Sequence, residues 1–133
     1  MHNRIIAILV SLCWIAGGVE ISSIQMLEQS GNYAEALSLC QKEPHVASSL
    51  YFIGDYFFHG RKGINQNQIL GREFYQKAIP ELVVLAEAGN ADAQYYLGRC
   101  YEYGKNDLRL ARQWYIKSLS TNKLILIAPC AIL

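Results

Sequence analysis

The feature that most constrains the fold of this chain is an internal repeat. Two segments, 47–78 and 90–118, carry glycine, aromatic and polar residues in the same order. The matching positions are Ile53-Gly54 with Leu97-Gly98, Phe57 with Tyr101, Gly60 with Gly104, Asn67 with Asp107, Gly71 with Ala111, and Phe74-Tyr75 with Trp114-Tyr115. They recur at a period of about 40 residues, and each unit contains two helix-length stretches. Such a period predicts an α-helical solenoid, in which helix pairs stack on one another.

Glycine and asparagine divide the chain into short amphipathic segments. Gly31-Asn32, Gly60 and Gly89-Asn90 stand where the apolar periodicity stops, which favours helix ends at these points. Asn67 is predicted to cap the second helix of the first unit, because its side chain can accept a hydrogen bond from a free backbone N–H. Pro80 is predicted to interrupt that helix or to start a second one, since proline removes a backbone donor.

The repeated small and aromatic residues are interpreted as packing residues. Gly54 and Gly98 lack a side chain, so we expect the partner helix to approach closely at both positions. The aromatic pairs at 74–75 and 114–115 would then fill the space between neighbouring units. This interpretation assigns the repeat pattern to the fold and leaves function to other residues.

The repeat pattern resembles a known family. The run ADAQYYLGRCYEYG, followed by Asp107 and ARQWYIKS, is similar to the Sel-one-like repeat, a relative of the tetratricopeptide repeat. The runs LYFIGDYFFHG and GREFYQKA match the same pattern more loosely, and GNYAEALSL resembles the second helix of an ordinary tetratricopeptide unit. This chain departs from the pattern in two places. Gly71 stands where the pattern has alanine, and IPELVVL is an insertion of about two helical turns.

The resemblance implies an all-α fold, a tetratricopeptide-like right-handed solenoid of antiparallel helix pairs preceded by a signal peptide. The expected divisions are a signal peptide at 1–18, an N-terminal helix pair at 19–43, a first repeat with an extended second helix at 44–89, a second repeat at 90–120, and an apolar tail at 121–133.

The first 18 residues have the composition of a cleavable secretory signal. Arg4 precedes the apolar run IIAILVSLCWIA, and the small residues Ala16 and Gly18 stand just before Val19. A buried core helix, an uncleaved anchor and lipid attachment at Cys13 are the alternatives, although the run is shorter than the roughly 20 residues that a membrane-spanning helix needs. The prediction is an exported bacterial protein, periplasmic or secreted, with no stable membrane span after cleavage and with membrane association if the signal is retained.

The apolar tail LILIAPCAIL has no charge and no helical stripe. Either it folds back to cover the open end of the solenoid, or the chain is a shortened remnant of a longer array.

The cysteines of the mature chain, Cys40, Cys100 and Cys130, lie far apart and form no C-x-x-C pair. This spacing suggests neither a zinc site nor a redox motif, and it leaves one disulfide with one free thiol open. Cys100 is interpreted as a small packed residue on a buried helix face.

Charge and motifs argue against several functional classes. The net charge is +1, and lysine and arginine are not clustered, so there is no electrostatic basis for nucleic-acid binding. The sequence contains no H-E-x-x-H, G-x-S-x-G or P-loop motif and no metal-ligand spacing, so we predict no catalytic residue, metal or cofactor.

An enzymatic alternative comes from a weak motif. Ser120 and Lys123 satisfy S-x-x-K, a spacing found in penicillin-interacting enzymes, but the companion S-D-N and K-T-G elements are missing. Some cysteine-rich secreted relatives are known as β-lactamases. They pair cysteines within each repeat, and this chain does not.

The first helix of each pair supplies the candidate binding face. Residues spaced three and four apart share one side of a helix. The candidate residues are Ser48, Tyr51, Asp55 and Phe58 with His59 beside them in the first repeat, and Asp92, Tyr95, Arg99 and Glu102 in the second. By analogy with tetratricopeptide grooves, the resemblance implies a concave face that binds a peptide or a partner protein through tyrosine stacking and arginine–carboxylate contacts. The alternative is an ordinary solvated helix face. We therefore predict a non-enzymatic protein-binding module.

Overall fold

The computed structural model describes residues 21–131, with side chains up to residue 122. Its helices are α1 (Ile21–Gln29), α2 (Tyr33–Gln41), α3 (Ala47–His59), α4 (Gln68–Glu87), α5 (Ala91–Arg99) and α6 (Leu108–Ala131), with a π-helical turn, Cys100–Gly104, that continues α5. Apart from an isolated bridge between Arg61 and Ile64, the described residues contain no β-structure. The prediction of an all-helical fold is confirmed, and the predicted signal segment, 1–18, lies outside the described residues.

Side-chain caps start three of the four helices of the two repeats, α3 being the exception with Val46 at its N-cap. The Oδ1 atom of Asn67 accepts a hydrogen bond from the Leu70 amide at 3.1 Å, which confirms the predicted cap of α4. Asn90 caps α5 in the same way, through the Ala93 amide at 3.0 Å, and Asp107 caps α6. Each cap satisfies a backbone donor that the helix itself leaves free.

The two helices of each repeat cross closely at glycine. A Cβ atom added to Gly98 would lie 2.6 Å from the Tyr115 ring, and one added to Gly54 would lie 3.0 Å from the carbonyl oxygen of Gly71. These distances confirm the close approach predicted for both glycines. Gly71, which replaces the alanine of the family pattern, is the tightest of these positions. A Cβ atom there would lie 2.5 Å from the backbone nitrogen of Phe58, which explains the departure.

The interruption predicted at Pro80 is wrong, because α4 runs from Gln68 to Glu87 with Pro80 inside it. Proline cannot donate to the carbonyl four residues earlier, which usually kinks or ends a helix. Here Ala78 and Leu82, on either side of Pro80, are both buried in the core. Their burial holds the two halves of α4 in one helix, and the inserted segment IPELVVL lengthens it.

The two cysteines with described side chains are packed inside the core. Cys40 and Cys100 are both fully buried free thiols. Burial raises the pKa of Cys40 to about 12 and that of Cys100 further still, so both stay protonated at neutral pH. Cys100 therefore occupies the packed position that its place on the helix predicted, and the side chain of Cys130 lies outside the described residues.

The end of α5 differs from the end of α3. Helix α3 stops at Gly60, whose φ of 69° is left-handed, whereas α5 continues into the π-helical turn. Gly104 closes that turn against α4, and its carbonyl oxygen accepts a hydrogen bond from Gln76 at 2.8 Å. A Cβ atom at Gly104 would lie 2.9 Å from that of Tyr75, so the wider turn and the glycine together seat the second repeat on the first.

The tail from residue 121 begins inside a helix. The apolar run lacks a helical stripe, yet its backbone continues α6 without a break as far as Ala131. Leucine, isoleucine and alanine are compatible with a helix, and no glycine or proline interrupts α6 before Pro129.

Replacing Gly71 by alanine tests the crossing of α3 and α4. Alanine normally stabilises a helix by about 1 kcal/mol relative to glycine. Here the added Cβ would displace the backbone of Phe58, so we expect Gly71→Ala to lower the free energy of unfolding by about 2 kcal/mol in urea titrations. Arg72→Ala, at the exposed neighbouring position of the same helix, serves as the control and should change it little. A stabilised Gly71→Ala variant would contradict the close crossing.

Candidate functional site

The first helices of the successive pairs line one groove of about 430 Å³. The sequence-predicted residues that line it are Tyr51, Asp55, Asp92, Tyr95 and Arg99. The sequence analysis missed Gln25, Glu28, Phe52, Arg61 and Tyr96, which also line it. Helices α1, α3 and α5 therefore contribute, together with Arg61 from the loop after α3.

A buried carboxylate lies at the base of the groove. Asp55 Oδ1 accepts hydrogen bonds from Arg99 Nη2 at 2.7 Å and from the Tyr75 hydroxyl at 2.9 Å. Its Oδ2 accepts from Arg61 Nη2 at 2.8 Å, and the Asp55 side chain is only 7% exposed. Both carboxylate oxygens are engaged inside the protein. The proposal from sequence that Asp55 contacts a partner is therefore corrected: it joins α3 to α4, to α5 and to the following loop.

The charges of this cluster stabilise one another. Burial alone would raise the pKa of Asp55, but the charges and hydrogen bonds of Arg99, Tyr75 and Arg61 outweigh it and hold that pKa below its usual value. Burial likewise opposes the charge of Arg99, yet its neighbours Tyr51 and Asp55 raise the arginine pKa. Asp55 and both arginines are therefore charged at neutral pH.

His59 completes this cluster as a neutral residue. Its Nε2 lies 3.0 Å from Arg99 Nη2 and 3.6 Å from Asp55 Oδ1. Burial lowers the pKa of His59, and the neighbouring Arg99 and Arg61 act in the same direction, against the carboxylate of Asp55. Because arginine can only donate, His59 accepts at Nε2 and carries its proton at Nδ1.

Aromatic rings form the floor of the groove. Tyr51 and Tyr96 are stacked with centroids 4.3 Å apart, and Phe52 meets the edge of Tyr96 at 5.4 Å. All three rings are buried, whereas Tyr95 is 44% exposed. The groove thus presents one accessible ring above a fixed aromatic floor.

The remaining predicted residues lie outside the groove lining. Ser48 is buried, and its hydroxyl has no hydrogen-bond partner among the described residues. Phe58 is partly buried and packs against the core, with its ring centroid 5.8 Å from that of Tyr75 and 5.1 Å from that of Tyr103. Glu102 accepts a hydrogen bond from the Tyr115 hydroxyl at 2.5 Å, which fixes it to α6. His59 contacts Arg99, with its Nε2 3.0 Å from Arg99 Nη2.

Part of the missed lining carried a signal in the sequence. Phe52 and Tyr96 occupy equivalent positions of the two repeats, directly after Tyr51 and Tyr95. Two adjacent aromatic residues that recur in both repeats cover more of the helix surface than a single stripe of residues does. This recurrence could have indicated a broader face. Glu28 could not be found this way, because α1 lies outside the repeat pattern. Its Oε1 accepts a hydrogen bond from the Tyr56 hydroxyl at 2.8 Å, and burial raises its pKa.

The S-x-x-K motif lies apart from the groove. Ser120 is exposed on α6, and its hydroxyl donates to the carbonyl oxygen of Ile116 at 3.1 Å. The side chain of Lys123 lies outside the described residues. Among the described residues, no group of three His, Cys, Asp or Glu could hold a metal ion. Within the same part of the chain, no helix has the length and apolarity required to cross a membrane.

An all-helical chain whose paired helices stack, and whose first helices line a groove, is a helical repeat protein. Two stretches, 47–79 and 91–120, match the model of the Sel1 repeat. The chain therefore contains two Sel1-like repeats, as the resemblance of its motifs indicated. Sel1 repeats generally mediate protein–protein interaction. Comparisons with curated proteins and with solved structures gave no significant match.

Asp55→Asn tests the cluster at the base of the groove. The change leaves two partly buried arginines without their carboxylate, so we expect the free energy of unfolding at neutral pH to fall by about 3 kcal/mol. Since the pKa of Asp55 is lower in the folded chain than in the unfolded chain, its contribution is present above the unfolded pKa and is lost as the pH falls through the folded pKa.

The difference between wild type and Asp55→Asn should therefore shrink below about pH 4 in urea titrations followed by circular dichroism. Glu28 titrates in both proteins, and most of its titration cancels in this difference, because burial and the Tyr56 hydrogen bond affect its pKa more than the charge of Asp55 does. Glu73→Gln, at an exposed carboxylate of α4, is the control. Equal stability of Asp55→Asn and wild type at neutral pH would show that the cluster contributes nothing.

Proposed function

We propose that this protein is a non-enzymatic interaction module that binds a peptide segment of a partner protein in the groove of α1, α3 and α5. The observation that carries the proposal is the division of the groove into two layers. Tyr51, Asp55 and Arg99 are held by contacts within the protein, whereas the exposed Gln25, Asp92 and Tyr95 lie at the same groove with their side chains accessible.

The fixed lower layer favours binding because the groove is formed before a partner arrives. Three elements converge on Asp55, and the stacked rings of Tyr51 and Tyr96 leave little freedom to the floor. A site that is already ordered loses less conformational entropy on association. Tyr95 is 44% exposed at this groove, and tyrosine is a residue type that commonly contributes much of the binding free energy at interfaces.

No observation favours the penicillin-interacting hydrolase. A serine nucleophile needs a base within hydrogen-bond reach, whereas the Ser120 hydroxyl donates to a backbone carbonyl and is exposed on α6. The interaction module therefore remains the single proposed function.

A crosslinking pull-down from envelope extract tests the binding module. We expect wild-type protein to capture a partner that mass spectrometry identifies, and Tyr95→Ala to capture at least several-fold less, because truncation removes the accessible ring. Ile69→Ala, at a 78% exposed apolar residue of α4, is the matched control and should capture as wild type does. Equal capture by all three proteins would place the interaction outside the groove.

We also propose that the protein is exported, on the basis of the charged, apolar and small-residue pattern of residues 1–18. Expression in a bacterial host should then yield, outside the cytoplasm, a chain whose mass corresponds to a start at Val19. Replacing Ala16 and Gly18 by larger residues should leave the uncleaved mass, since signal cleavage requires small side chains there. A wild-type chain that keeps residues 1–18 and stays in the cytoplasm would contradict export.

A further inference from the structure

The groove contacts point to the chemistry of the partner segment. We propose that it presents a lysine or arginine side chain to the groove, held between the carboxylates of Glu28 and Asp92 and beside the ring of Tyr95. This inference rests on the proposed function, since it specifies the partner of the same groove.

Both arginines of the groove are already paired with a carboxylate inside the protein, and the buried Nε of each has no hydrogen-bond partner among the described residues. Each donates to the Asp55 carboxylate, and Arg99 also donates to His59. The guanidinium of Arg99 lies over the Tyr103 ring at 5.0 Å, and that of Arg61 over the Tyr33 ring at 5.8 Å. The arginine–carboxylate contact that the tetratricopeptide analogy assigned to a partner is therefore made inside the protein.

Two carboxylates of the groove, by contrast, keep free acceptors. Asp92 is exposed, and no hydrogen bond or ion pair engages it among the described residues. Glu28 uses Oε1 for the Tyr56 hydroxyl, which leaves Oε2 without a hydrogen-bond donor in the same part of the chain. Both carboxylates lie close enough to Tyr96 to help raise its pKa, after the larger effect of burial. Glu28, Asp92 and Tyr96 all line the same groove, so a basic group bound above Tyr96 would lie near both carboxylates.

The net charge of the groove and its exposed tyrosine ring also favour a bound cation. The groove is lined by three carboxylates, of Glu28, Asp55 and Asp92, but only by the two guanidinium groups of Arg61 and Arg99. A bound cation would correct this imbalance, whereas a bound carboxylate would increase it. The exposed Tyr95 adds an aromatic face, to which ammonium and guanidinium groups are attracted by the ring quadrupole.

Selection of a displayed library of random short peptides on the purified protein tests the inference. We expect the selected peptides to be enriched in lysine and arginine. The tightest peptide is then resynthesised with and without its basic residue. Removing that residue, or changing Asp92→Asn or Glu28→Gln, should each weaken binding about fivefold, and raised salt should weaken the wild-type complex.

Each variant is designed to keep the fold, and its fold is checked. Glu28→Gln retains an acceptor for the Tyr56 hydroxyl, and circular dichroism checks that each variant is helical. Glu81→Gln, at an exposed carboxylate of α4 outside the groove lining, is the matched control and should bind as wild type does.

The outcomes separate the two proposals. Selected peptides that are acidic or uncharged but still lose affinity on Tyr95→Ala would overturn the cationic partner and leave groove binding standing. Basic peptides whose affinity is unchanged in both Asp92→Asn and Glu28→Gln would also overturn it. If no peptide is selected, or if none loses affinity on Tyr95→Ala, the groove itself is not the binding site and both proposals fail.

Discussion

The pairing of Asp55 with Arg99 is the interaction on which the stacking of the two repeats depends. These residues occupy equivalent positions, each directly after the glycine at which the two helices of its repeat cross. In a stacked array, equivalent positions of successive first helices face one another. Like charges there would repel, so the opposite charges of Asp55 and Arg99 make the repeats complementary and hold their register.

The close helix crossing at Gly54 helps to stabilise the buried carboxylate of Asp55. At Gly54 the missing side chain lets α4 approach, with the Tyr75 amide 3.0 Å from where a Cβ would stand. The Tyr75 hydroxyl can then reach Asp55, which shares the cost of removing its charge from water. The second repeat differs in this contact, because its equivalent tyrosine, Tyr115, donates to Glu102. The internal repeat is thus regular in backbone and irregular in its polar contacts.

This irregularity decides how far the sequence can predict the structure. Helix caps, glycine crossings and the helical class depend on residues close in sequence or on the period, and Asn67, Gly54 and Gly98 behave as predicted. The outcome at Pro80 depends on burial of Ala78 and Leu82, which a local rule for proline does not include. The π-helical turn depends on contacts of Gly104 with α4, and these exist only after the repeats have stacked.

The groove shows the same limit. Helical spacing brought Tyr51, Asp55, Tyr95 and Arg99 to one face, but spacing carries no information on which of them are covered. Asp55 is covered by Arg61, Tyr75 and Arg99, which lie on other elements of the fold, and α1, which lies outside the repeat pattern, adds Gln25 and Glu28 to the lining. Residues on a single predicted stripe therefore divide into those that build the groove and those that remain available at its surface.

That division determines which substitutions change the surface of the groove and which change the stacking of the repeats. A substitution at Asp55 or Arg99 acts on repeat stacking, because each has its main polar contact across the repeat boundary. Asp92, Gln25 and Tyr95 are exposed, so substitutions there can alter charge and shape at little expense to the fold. The charge of the groove can thus vary independently of its architecture. The buried ion pair and the accessible rim are therefore separate in this chain, so that the surface of the groove can change without a change of fold.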